Sequence, residues 1–155
     1  MLIAGATAVG RPTEELEALG RFGAERTCDK RYDNPFVILY FFSRALHKLP
    51  PEAAEPIATR IAAAEPNGAL EYALAACGLL YWKRIPNLSC ISALLDSQMD
   101  TGGWERRGFY HGGRTRCRDG SLAEQHPDTP HWGSEALTTV FCLEALARWT
   151  SMSQQ

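Results

Sequence analysis

The sequence contains no apolar run long enough to cross a bilayer. Neither Phe36 to Phe42 nor Tyr72 to Trp82 approaches the ~20 residues a spanning helix needs. An excess of one charge is also lacking. With 16 basic and 18 acidic residues the net charge is −2, so no global field draws the chain to nucleic acid. Cysteines are few: Cys28, Cys77, Cys90, Cys117 and Cys142 stand at irregular spacings and none forms a CxxC pair. A disulfide framework and a zinc knuckle are therefore not indicated, and a reducing cytoplasmic setting fits best. Met1 to Val9 is apolar but lacks a basic flank, which makes a poor signal peptide. It reads as a chain that starts inside a larger ancestral domain.

What is present is ordinary globular composition, 45% hydrophobic and 22% charged. A chain of 155 residues with that balance makes one domain, 1–155, with a real core. Thr13 precedes Glu14, Glu15, Leu16 and Leu19, which predicts a short capped helix. Asn34-Pro35 is an N-cap followed by proline at the first helical position. It opens an apolar stretch from Phe36 that continues through Leu46 and ends in His47 and Lys48, so helix is favoured over a buried strand. Pro50-Pro51 stops it. Residues 53–64 carry a thin stripe of Ala54, Ile57, Ala58 and Ile61, with Pro56 expected in the first turn. Pro66-Asn67-Gly68 signals a turn.

Residues 69–82 are apolar on nearly every face, with Glu71 as the exception, and such a helix has to be surrounded by protein. Glu71 then needs a partner, Arg44 being the expected one, or a function. Leu88, Ile91, Leu94 and Leu95 predict a one-faced helix up to Gln98. Residues 99–132 form an irregular polar excursion rich in glycine and arginine. The last helix, about 134–149, starts at the N-cap Ser134. Its expected inward set is Ala136, Leu137, Val140, Phe141, Leu143 and Leu146, with a Glu144–Arg148 pair on the outer side. Residues 150–155 are expected to fray. About five to six helices therefore alternate between fully apolar and one-sided, as inner and outer helical layers require.

One motif carries a family resemblance. Gln98-Met99-Asp100-Thr101-Gly102-Gly103-Trp104 is the Gln-x-x-x-Gly-x-Trp signature of the QW repeat, though Ala93 stands where the full repeat has an aromatic residue. With Asp33 to Val37, Ser43 to Leu46 and Trp132 to Thr139, it resembles the squalene cyclase and protein prenyltransferase group. That resemblance implies an all-α, α/α-toroid-like architecture, here a half ring. Gln98, Gly102, Gly103 and Trp104 take its structural role: glutamine at orphan backbone groups, glycines in a positive-φ turn, and tryptophan over the adjoining helix end. The cyclases' aspartate-rich acid motif is missing. Thr138 stands where the prenyltransferases place a zinc-binding histidine.

The resemblance implies an apolar, aromatic-lined concave face for an isoprenoid or other hydrophobic ligand. Tyr40, Phe41, Tyr72, Trp104, Tyr110, His111, Trp132 and Glu135 are its expected contacts. A complementary toroid half or a second copy is the expected protein partner. No cofactor is expected. His111, His126 and His131 with Cys117, Asp119, Glu124 and Asp128 carry no regular ligand spacing for a metal. Function divides two ways. A non-catalytic binding or assembly module is the favoured reading; the alternative is a terpenoid cyclase or prenyltransferase-like enzyme. In the latter, Asp100 or Glu71, desolvated, would donate the initiating proton.

Overall fold

The computed structural model describes residues 13–25, 32, 34–111 and 131–154. They form six helices and one short strand pair, an all-α fold as expected. The helices are α1 (Thr13–Glu25), α2 (Pro35–Leu46), α3 (Pro51–Ala62), α4 (Ala69–Tyr81), α5 (Leu88–Asp96) and α6 (Glu135–Ser153). Strands β1 (Tyr110–His111) and β2 (His131–Trp132) pair antiparallel, Tyr110 opposite Trp132. No helix among the described residues is long and apolar enough to cross a membrane.

Local chemistry sets the boundaries. Asn34 caps α2 by accepting from the Phe36 amide at 2.9 Å, and Pro35 supplies the preset φ of a first helical residue. Residues 36–42 are thus helical and not a strand. Asn87 caps α5 through Ser89, and Ser134 caps α6 through Leu137. Pro56 lies deeper than expected, as the sixth residue of α3. The carbonyl it leaves without an intrahelical partner belongs to Glu52, an exposed residue, so water can serve it. α1 is also longer than the sequence suggested, and it packs chiefly on α3.

α4 is the axis of the packing. Its residues Ala73 to Leu80 are buried without interruption, and α2, α3, α5 and α6 all pack against it. An apolar surface on every side demands such enclosure. α3 and α5 bury one stripe each, Ala53, Ala54, Ile57, Ala58 and Ile61 on the first, Ile91 and Leu94 on the second.

α6 corrects the expectation in three ways. It continues through Ser153, so residues 150–153 are helical rather than frayed. Its buried residues are Thr138, Phe141, Cys142 and Ala145, while Val140 and Leu143 are 60% and 53% exposed. The buried set follows i, i+3, i+4, i+7, and the two aliphatics fall off that stripe. Glu144 consequently turns partly inward, away from the outer side where the sequence put it.

The Gln98–Trp104 segment ties the end of α5 to α6. Gln98 Nε2 donates to the Gly102 carbonyl at 2.8 Å, and the Met99 amide donates to Gly103 O at 2.9 Å. Only Gly102 of the two glycines takes a positive φ, +84°. Trp104 is fully buried, with Nε1 donating to the Leu94 carbonyl at 2.8 Å and its amide to Thr139 Oγ1 at 3.1 Å. The tryptophan thus satisfies an orphan carbonyl of the last turn of α5 and closes the helix end.

Candidate functional site

Of the aromatic residues expected to line a ligand face, Tyr40 and Trp104 are fully buried and Phe41 is half-buried. Tyr40 is fully buried and packs edge-on against Phe141 at 5.2 Å, Phe41 at 5.5 Å and Tyr81 at 6.1 Å. Phe109 stacks on Phe141 at 5.3 Å and meets Phe41 at 6.2 Å. These ring-to-ring contacts are ordinary core geometry. Tyr72 is half-buried, and Tyr40 and Trp104 have no exposed surface. Tyr110 and Trp132 are the exposed members, stacked on each other at 5.4 Å across β1 and β2. His111 belongs to β1, and Glu135 is exposed at the start of α6.

The two nominated acids lack the setting that proton donation to an alkene requires. Asp100 is exposed in the turn after α5. Glu71 is half-buried and accepts from Asn34 Nδ2 at 2.7 Å and from the Asn67 amide at 2.8 Å. Its partners are therefore two asparagines and not Arg44. It joins the cap of α2 to the turn before α4, reaching back as a capping-box glutamate does.

Among the described residues, the acid with the densest set of partners is one the sequence left on the surface. Glu144 accepts from Tyr40 Oη at 2.8 Å, Tyr81 Oη at 2.9 Å and Arg148 Nε at 2.8 Å. Arg148 Nη2 also donates to Tyr81 Oη at 2.7 Å, and its Cζ lies 3.8 Å from that ring's centre. Arg44 Nη1 donates to Tyr40 Oη at 3.3 Å. One carboxylate thus joins α2, α4 and α6. Burial pushes the Glu144 carboxyl up, but the hydrogen bonds from Arg148, Tyr40 and Tyr81 outweigh it and hold it below the usual glutamate value. Burial first, and then the bond to Glu144, push both tyrosine hydroxyls above 10.

Beside this polar cluster lies an open groove of about 660 Å³, between the end of α4 and the last turns of α6. Leu80, Ile85, Ala147, Trp149 and Met152 give it apolar walls; Lys83 and Arg148 are its charged residues, both cationic. Its volume falls in the range of small-molecule sites. Lys83 has φ +56°, a conformation more usual for glycine. Its amide donates to Leu80 O and the Arg84 amide to Leu79 O, both at 3.0 Å, which is the Schellman closure of α4. The chain accepts a left-handed lysine at this mouth, at a cost of about 1–2 kcal/mol.

The other polar side chains of the 99–132 stretch resolve differently. Arg106 spends its guanidinium on the Gly133 and His131 carbonyls at 2.9 and 3.1 Å, and Arg107 pairs with Glu105 at 3.3 Å. Arg114, Arg116, Arg118, Cys117, Asp119, Glu124, His126 and Asp128 lie outside the described residues. Among those described, no group of three His, Cys, Asp or Glu side chains is placed to hold a metal. Cys77 and Cys142 are buried; burial pushes the Cys142 thiol up to about 12 and Cys77 higher still.

Fold and geometry together define an all-helical protein with a filled aromatic core and an outer apolar groove edged by two cations. No protein-family model matches the chain, and no curated protein or solved structure is found to be similar to it. Lys83 and the Tyr40–Glu144 pairing escaped sequence reasoning. Only the i,i+4 spacing of Glu144 and Arg148 pointed toward the cluster.

Proposed function

We propose that this chain is a non-catalytic, toroid-type helical module that takes a hydrophobic ligand or partner on its apolar surface. The groove between α4 and α6 carries the reading, because apolar walls and a suitable volume coincide there. Two further features support the toroid part of it. Buried α4 is flanked by the one-sided α3 and α5, and the Gln98–Trp104 turn performs the helix-closing task that the QW resemblance assigns to it. Against a cyclase-like reaction stand the exposure of Asp100 and the paired state of Glu71.

The test is uptake of an environment-sensitive hydrophobic dye by the intact chain and by Ile85→Asp. Ile85 is 73% exposed, so the substitution leaves the core untouched. Dye uptake that falls in the variant is the expected result. Equal uptake, or none in either protein, contradicts the reading.

A protein partner is favoured by a separate observation. Leu88 and Leu95 on one face of α5, and Val140 and Leu143 one turn apart on α6, are half or more exposed, and bare aliphatic faces of this kind mark association surfaces. Light scattering on the parent and on Leu143→Lys checks it; self-association that weakens in the variant supports a second copy as the occupant.

A further inference from the structure

The groove's charges say more about its occupant than its apolar walls do. We propose that it binds a single-chain amphiphile bearing one carboxylate, the tail on Leu80, Ala147, Trp149 and Met152 and the head group on Lys83 and Arg148. This deepens the reading of the groove as a hydrophobic site and rests on it.

Charge complementarity carries the argument. No acidic side chain lines the groove. The hydroxyls of Ser151 and Ser153 are committed to the Ala147 and Trp149 carbonyls of their own helix. Polar recognition there therefore falls to the two cations. Lys83 has no side-chain partner among the described residues, and its left-handed backbone fixes where its side chain departs. Arg148 is held in place by Glu144 through Nε and by Tyr81 through Nη2, which leaves Nη1 without a partner among the described residues. A fixed guanidinium edge and an ammonium suit a carboxylate.

The same geometry argues against a heavily charged head group. α4 ends at Tyr81 and α6 at Ser153, so both helices direct C-terminal carbonyls toward this region. Those ends carry partial negative charge, which disfavours a diphosphate more than a single carboxylate. Lys83 offsets the α4 dipole as well, and an offset dipole is the condition under which a monoanion can approach.

The experiment titrates the intact chain with dodecanoate, dodecyl phosphate, dodecanol and dodecyltrimethylammonium below their micellar concentrations, read by calorimetry and by the tryptophan emission to which Trp149 contributes. The comparison variant is Lys83→Gly, which suits the positive φ and so preserves the fold. Dodecanoate should bind tightest, and K83G should weaken it about tenfold, the worth of one charge-assisted contact. Dodecanol affinity should not change. If dodecanol binds as well as dodecanoate, or K83G binds both unaltered, the head-group assignment is overturned while the apolar site stands. Tighter dodecyl phosphate overturns the carboxylate choice. Absence of binding by all four overturns both this inference and the reading beneath it.

Discussion

Tyr40 and Glu144 stand 104 positions apart in sequence and 2.8 Å apart in space, hydroxyl to carboxylate. Tyr40 comes from the fully apolar stretch of α2 and Glu144 from the middle of α6. Their bond fixes the mutual rotation of these helices about α4, where apolar packing alone would tolerate sliding. It also anchors Arg148 at the edge of the groove.

Tyr40→Phe should therefore cost more than one exposed hydrogen bond. It removes a donor from a part-buried carboxylate that keeps its charge, so destabilisation of about 1.5–3 kcal/mol is expected. A double-mutant cycle with Glu144→Gln, measured by urea unfolding, should return a coupling above about 0.5 kcal/mol. Additive effects would show that the contact contributes nothing to holding the helices.

The pH dependence has two limbs. Glu144 titrates lower in the fold than in the unfolded chain, so its contribution is fully present above 4.5 and is lost as pH falls through the depressed folded value. Tyr40 and Tyr81 titrate higher in the fold, so their contribution is complete below pH 10 and declines as pH rises beyond it. Thermal melts across pH should show both limbs. In Glu144→Gln the acid limb should shrink and the alkaline limb should weaken with it.

Trp104→Phe should destabilise by about 1–2 kcal/mol, because it removes the indole donor to the Leu94 carbonyl, which then keeps only Ser97 Oγ at 2.8 Å, and leaves a smaller ring at a fully buried position. Chemical denaturation measures this. Gln98→Ala, at an exposed position, should cost less than half as much.

Two backbone substitutions should act in opposite directions. Lys83→Gly relieves a left-handed φ of 56° and should raise stability by about 1 kcal/mol. Gly133→Ala should lower it by more than about 2 kcal/mol, since a Cβ there would lie 1.8 Å from the Arg107 carbonyl oxygen. Calorimetric melting of both variants decides the signs.

The sequence showed the fold better than the site, for physical reasons. Helix starts were legible at Asn34-Pro35 and Ser134 because capping is local chemistry. The enclosure of α4 was legible because nearly every face of it is apolar, Glu71 excepted. The buried stripe of α6 was not, since Ala136, Val140, Leu143 and Ala147 are apolar yet exposed, and only packing on α4 decides which face turns in. Nor could the number of aromatic residues reveal whether the rings face one another or a ligand. Here Tyr40, Phe41, Phe109 and Phe141 face one another. Glu71 was recognised as needing a partner, but its donors, Asn34 and Asn67, come from a cap and a turn. Arg44, the partner charge alone suggested, serves Tyr40.

The central claim is that apolar ligands enter the outer groove and not the aromatic interior. Methyl-detected NMR during a dodecanol titration tests it most directly. Shifts concentrated on Leu80, Ile85, Ala147 and Met152 are the predicted result. Shifts centred on residues packed against Tyr40, Phe109 and Phe141, with the groove methyls unmoved, would contradict it.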